Sequence, residues 1–218
     1  MDASHTFLYL GEVKVDFKKE LKQLYSPKTG QFSLVNVPAM QYLMVDGQGD
    51  PNKVLAYTEA IESLFSVAYR LKFHSKNVLN RDYVVPPLEG LWWSENHDDF
   101  RARRKDQWSW TMMIMVPDWL SAHDVEEAIG TLRAEKPNIK VESMRFETLT
   151  EGLSAQIMHI GSYDEETPTL LKLHDEWLPE NGLKERLKHH EIYIGDPRKT
   201  EPSKLKTILR QPVTRVDE

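Results

Sequence analysis

The chain has no cysteine. Disulfides, thiolate nucleophiles and every zinc site built on sulfur are therefore excluded. Positive charge is also scarce: 28 Lys and Arg face 34 Asp and Glu, a formal net charge of −6. That balance argues against a general affinity for nucleic-acid phosphates. No basic helix-turn-helix region is evident, which argues against a DNA-binding sensor. No apolar run approaches the roughly 20 residues of a membrane helix, and no N-terminal stretch resembles a signal peptide. The Gly47 to Asp50 segment lacks a Gly-Lys-Ser/Thr ending and a dinucleotide fingerprint, so it reads as a turn. Eight histidines are present, yet His189 and His190 are adjacent and would point to opposite faces of a strand. His159 and His174 have no carboxylate at a familiar ligand spacing, so neither a metal nor a cofactor is expected. What remains is a soluble, cytoplasmic chain of 218 residues, 40% hydrophobic, able to bury one core as one domain or two fused halves.

The one basic run, Arg101 to Lys105, lies between Asp98-Asp99 and Asp106. It reads as a solvated loop or hairpin tip. Before it, Phe17, Leu21 and Leu24 recur at helical spacing and predict a short amphipathic helix from Asp16 to the Ser26-Pro27 break. Two strand-like runs, FSLVNVP and MQYLMVDGQGD, end in a Gly-rich turn. Pro51 suits the first turn of a helix striped by Val54, Tyr57, Ile61, Leu64, Phe65, Ala68 and Tyr69. A strand with Glu89 and Trp92-Trp93 follows, then WSWTMMIMVP, in which Trp108, Trp110, Met112 and Ile114 share a face. Ser121 and Asp124 form a capping-box-like helix start, and that helix ends near Pro137.

The second half repeats the order. SAQIMHIG is a strand, and Thr167-Pro168 opens a helix carrying Leu170, Leu173, Trp177 and Leu178 that stops at Asn181-Gly182. HHEIYIGDPR and LKTILRQPV supply two more strands. Strand, helix, strand, strand thus occurs twice, with Glu89 and Glu191 at equivalent places. The expectation is an α+β fold of tandem repeats with pseudo-twofold symmetry, helices on one side of the sheet and a ligand pocket on the other. Residues 1–30 read as an N-terminal extension. Residues 31–218 read as one domain, with repeats at about 31–120 and 140–213 joined by a helix at about 121–137.

A carboxylate inside an apolar strand is costly to bury unless its charge or its proton is used. Glu191 shares a face with Tyr193 and His189 by alternation. Either it works in a pocket or it pairs with a cation on a neighbouring strand. Glu89 could act as its symmetric partner, or cap a turn between Pro87 and Gly90. Trp92, Trp93 and Trp110 are candidate walls for a flat ligand. Trp92 and Trp93 must point to opposite faces, and parity with Glu89 favours Trp93. Tyr69, Tyr163 and Tyr42 are further wall candidates that could equally pack in the core. Met112 and Met113 could fill gaps beside a bulky ligand or simply belong to the core.

The C-terminal run EIYIGDPRKTEPSKLKTILRQPV resembles the closing motif of the GyrI-like (gyrase-inhibitor-like) small-molecule-binding family: a Glu-x-Tyr strand, an Asp-Pro turn and a last strand ending in Pro-Val. HIGSYDEETPTLLKLHDEWL resembles the same family's strand-to-helix passage. FKKELKQLYSPK, VPAMQYLMVDGQGDPN and EGLWWS resemble a stand-alone branch without DNA-binding helices. The resemblance runs from about Asp16 to Val213. It implies a cofactor-independent cyclopropanoid hydrolase, opening the strained ring of duocarmycin- and yatakemycin-like DNA-alkylating compounds. Glu191 would be the general base, and Tyr193 a donor to the developing oxyanion or an orienter of the water. The wider family also implies two other roles, a non-catalytic module for aromatic or cationic drugs and a gyrase-binding protein. The expected partner is a hydrophobic polycyclic small molecule, with no direct nucleic-acid or membrane contact, bound by a monomer or weak dimer.

Overall fold

A computed structural model describes residues 14–96, 99 and 102–217. The strands are β1 (Ser33–Val37), β2 (Met40–Gln48), β3 (Leu88–Trp93), β4 (Ser109–Val116), β5 (Arg145–Leu149), β6 (Gly152–Ile160), β7 (Leu183–Glu185), β8 (His189–Tyr193) and β9 (Lys206–Arg215). They form one sheet in the order β1-β6-β9-β8-β3-β4-β2-β5, with β7 on β9. Every pairing is antiparallel. The repeat read from the sequence is visible in that order. The first half runs β2-β4-β3, the second runs β6-β9-β8, and β3 meets β8 at the centre. Each half borrows its edge: β5 pairs with β2, and β1 with β6.

Among the described residues the α-helices that frame the sheet are α1 (Phe17–Glu20), α2 (Lys22–Tyr25), α3 (Leu55–Asn77), α4 (Ala122–Glu135), α5 (Thr167–Leu171) and α6 (Leu178–Glu180). The expected first helix is broken at Leu21, whose backbone leaves the helical region (φ −103°, ψ 45°). α3 begins at Leu55 rather than Pro51, because Asp50 organises a preceding turn by accepting from the Lys53, Val54 and Asn52 amides. The capping box at Ser121 and Asp124 opens α4 as expected. A π-helical segment, Lys172–Trp177, separates α5 from α6. Pro179 follows it and has no N–H to return to the turn before it, a usual cause of such widening. Gly182, at φ +63°, ends α6.

One face of the sheet carries the larger helices. Leu64, Val67 and Leu71 of α3 and Val125, Ala128 and Leu132 of α4 pack on Leu43, Val45, Trp110, Met112 and Ile114. Leu173 and Leu178 pack on Ala155 and Val213 in the other half. Trp110 has no solvent exposure, and a Cβ at Gly47 would lie 2.1 Å from its ring, so glycine makes room for the indole. The opposite face is closed by Leu24 and Tyr25 of α2 against Val37, Ile192 and Ile208. No helix among the described residues is long and apolar enough to cross a membrane.

Candidate active site

The two helix groups leave the central strands β3 and β8 uncovered between them, and a cleft of about 2240 Å³ opens there. It therefore lies on the helix-bearing face, not on the far face that the repeat pattern suggested. Helices centred over each half of the sheet make a groove above the seam. The far face is filled by α2 and a buried ionic network.

Glu191 sits on the floor of the cleft. Its register partners are Gly90 on β3 and Leu209 on β9. Gly90 is needed here: a Cβ would lie 2.9 Å from Trp92 Nε1 and 3.2 Å from the Tyr193 hydroxyl. Tyr193 donates to Glu191 Oε2 at 2.8 Å and accepts from Trp92 Nε1 at 2.9 Å. Tyr57 from α3 packs edge-on to Trp110 and 6.2 Å from Trp92. The Tyr163 ring meets Tyr193 edge-on at 5.6 Å. His189 Nε2 stands 3.7 Å from Glu191 Oε1. The result is one carboxylate framed by aromatic rings and held by a committed phenol.

Burial pushes Glu191 up to about 7, while the Tyr193 hydrogen bond and the positive charges of His190 and Lys105 restrain the rise. A base that ionises near neutrality is well placed to take a proton from water. Burial pushes His189 down to about 3, so its ring is neutral. A second carboxyl, Glu166, lines the same cleft and is only 4% exposed. Burial, then repulsion from Glu191, drives it well above the usual carboxylate range.

Of the residues singled out in the sequence, Glu191, Tyr193, Trp92, Trp93, Tyr163 and Tyr69 line the cleft. Tyr69 is half exposed, on the outer part of α3. Trp92 is the indole bonded to Tyr193; Trp93 instead lies under the Lys188 ammonium, 3.2 Å from the ring centroid. Both tryptophans line the cleft, and Trp92, which parity with Glu89 did not favour, is the one that meets the Tyr193–Glu191 pair. Five candidates are not brought to the cleft: Tyr42 and Met113 are buried together in a separate core cluster, and three more lie elsewhere. Trp110 and Met112 have no solvent exposure and pack beneath α3. Glu89 pairs with Ile192 rather than Glu191, so the pleat turns it to the opposite face.

On that face Glu89 is fully buried. It accepts from Tyr25 at 3.1 Å, and His190 Nε2 lies 2.9 Å from its other oxygen. His190 Nδ1 is 3.0 Å from Glu151, and Arg210 reaches Glu151 at 3.2 Å, Gln156 at 3.2 Å and the Leu24 carbonyl at 2.8 Å. Burial alone would lower His190, but Glu151 and Glu89 outweigh it and hold the imidazolium at about 9. Burial alone would raise Glu151, but His190 and Arg210 hold it at about 2. Two carboxyl groups, the imidazolium and the guanidinium are thus joined in one buried network, a structural role that the sequence reading had not offered for Glu89.

Sequence reasoning did not single out Glu166, which immediately precedes the Thr167-Pro168 helix start, and gave Tyr57 only a place in an apolar stripe. It also treated the basic run as solvated, and Arg101 lies outside the described residues. Arg103 and Lys105 reach across to Asp164, and Arg103 also donates to Thr167 at 3.1 Å. No group of three His, Asp or Glu side chains among the described residues could hold a metal ion.

This framed cleft belongs to a recognisable type. The model of the GyrI-like small molecule binding domain matches residues 30–214. The chain is a member of the GyrI-like family. Three crystal structures from Listeria innocua, each matched over 92% of this chain and 100% of their own, share the fold. One, an uncharacterized conserved protein, is 40% identical with a TM-score of 0.85. The other two are hydrolases, 37% and 40% identical with TM-scores of 0.81 and 0.82. No curated protein matches the chain. The GyrI-like chain is thus a small-molecule-binding domain with two hydrolases among its relatives.

Proposed function

We propose that this GyrI-like chain is a cofactor-independent hydrolase that opens the cyclopropane ring of duocarmycin- or yatakemycin-like DNA-alkylating compounds. The observation that carries the reading is Glu191, buried among aromatic rings, ionising near neutrality and held in place by Tyr193. In such compounds the three-membered ring is conjugated to a dienone. Water attacks the least hindered ring carbon, Glu191 takes its proton, and the released electron pair reaches the carbonyl oxygen. Trp92, Trp93 and Tyr163 supply flat apolar surface for a polycyclic ligand. The hydrolase relatives support hydrolysis as the reaction class, and the family's small-molecule binding supports the cleft as the site.

The test is mass-spectrometric turnover of a duocarmycin-type cyclopropane by wild type and Glu191→Gln. The expected result is a product one water heavier, formed by wild type and slowed about a hundredfold or more in the variant. Binding by both proteins without any product would identify a drug-binding module, the role that a small-molecule-binding domain without a working base would have. No turnover and no binding would leave the family fold without the proposed activity.

A further inference from the structure

Tyr193 has one hydroxyl proton, and it points at Glu191. It is therefore committed to positioning the base and is not free to donate to a ligand oxygen. His189 is neutral, and a neutral imidazole is a far weaker acid than a carboxyl group. Yet a reaction that develops an oxyanion gains from a proton or a donor on that side.

Glu166 is the group with a free oxygen. It stands between the Tyr163–Glu165 turn and α5, is buried, lines the cleft, and its Oε1 has no hydrogen-bond partner. The Thr207 hydroxyl on β9 approaches without making a hydrogen bond of ordinary geometry and is itself unpartnered. A buried carboxyl with an unused oxygen is a cost to the fold, so packing alone does not account for it. The charged and titratable groups facing it are Glu191 and Tyr193 on β8, Tyr163 and Asp164 on its own turn, and Arg103 from the β3–β4 connection. Burial and the Glu191 charge outweigh Arg103, which favours the neutral carboxyl.

We propose that Glu166 is the proton donor opposite Glu191, delivering a proton to the ligand oxygen that gains charge as Glu191 takes one from the attacking water. This rests on the hydrolase reading above. In the step, the water oxygen bonds to the ring carbon and one ring carbon–carbon bond breaks. The electron pair moves through the dienone to its oxygen, which takes the Glu166 proton and becomes a phenol. Glu191 then holds the proton from water, and its transfer to Glu166 restores both groups. The sum is substrate plus one water.

Glu166→Gln tests this, since the amide keeps the shape and can donate a hydrogen bond but cannot release a proton. Two readouts are taken on the full chain: the pH dependence of kcat with a duocarmycin-type cyclopropane, and the infrared carbonyl stretch of protonated carboxyls at about pH 8 in wild type minus variant. The expected results are a drop in kcat of about a hundredfold, loss of the alkaline limb of the profile, partial rescue by Glu166→Asp, and a protonated-carboxyl band present only with Glu166. Wild-type kcat with both limbs intact in Glu166→Gln would overturn the donor role alone. Absence of the band would show Glu166 ionised and overturn it as well. Failure of wild type to turn over, with the band present, would instead sink the hydrolase reading and the donor step with it.

Discussion

His190 and Glu191 are neighbours on one strand, and the two faces of β8 treat ionisable groups in opposite ways. Behind the sheet, His190 is wedged between Glu89 and Glu151, with Arg210, Gln156 and Tyr25 completing the set. Opposite charges meet there, and the network joins five segments: α2, β3, β6 with Glu151 just before it, β8 and β9. In front, Glu191 and Glu166 both line the cleft, and the charge of Glu191 raises Glu166, with Lys105 and Arg103 offsetting burial only in part. Burial alone therefore does not separate the proposed base from a structural carboxylate. Glu89 is the more deeply buried of the two strand glutamates, and it is the structural one. What distinguishes Glu191 is burial that its surroundings only partly compensate, which leaves its charge unfavourable where a substrate could relieve it.

The largest effect that sharpens this comparison comes from the rear network. His190→Ala strips Glu89 and Glu151 of their shared cation and should cost roughly 3–5 kcal/mol, read as a lower urea midpoint. A loss below about 1 kcal/mol would mean that the network is not a clamp. Its pH dependence has a definite sign. His190 is raised, so its contribution is complete below about 6.5 and is lost as pH rises through about 9. Glu151 is lowered, so its contribution is complete above about 4.5 and is lost as pH falls through about 2.

A smaller effect is expected in front. Tyr193→Phe removes the hydrogen bond that favours ionised Glu191. The acid limb of the turnover profile should then move up by about one pH unit, the size expected for a hydrogen bond to a charged group. An unmoved limb would separate Tyr193 from the base. Smaller still is Lys188→Ala, which removes the ammonium from the Trp93 face. The expected change is about 0.5–1 kcal/mol in stability, measured by thermal melting, with the Glu191 profile unmoved. A shifted profile would show that Trp93 and Lys188 belong to the base's surroundings.

Much of this was legible in the sequence, for reasons the structure makes plain. The doubled strand, helix, strand, strand order became the two halves of the sheet, because apolar periodicity and turn residues are local signals. The Glu-x-Tyr spacing of Glu191 and Tyr193 also survived, since alternate residues of a strand share a face whatever surrounds them. Glu89 was misplaced because symmetry of element order does not fix register. One residue of offset, Gly90 rather than Glu89 opposite Glu191, reverses the face. β5 and β7 escaped notice because an exposed edge strand and a three-residue strand carry little apolar pattern. Glu166 could not be read as a site residue, since only the docking of its turn against Thr207 and Glu191 removes it from water.

The most direct test of the contrast is the stability of Glu191→Gln. A carboxyl raised to about 7 binds its proton more tightly folded than unfolded, so the wild-type fold loses stability as pH rises from about 4.5 through about 7. Melting temperatures of wild type and Glu191→Gln at about pH 8 and about pH 4 measure this. At the higher pH the variant should be more stable, by roughly 1–3 kcal/mol, and at the lower pH the two should coincide. A variant less stable at about pH 8 would show Glu191 to be a satisfied structural partner like Glu89, and would contradict the division of β8 into a structural and a working face.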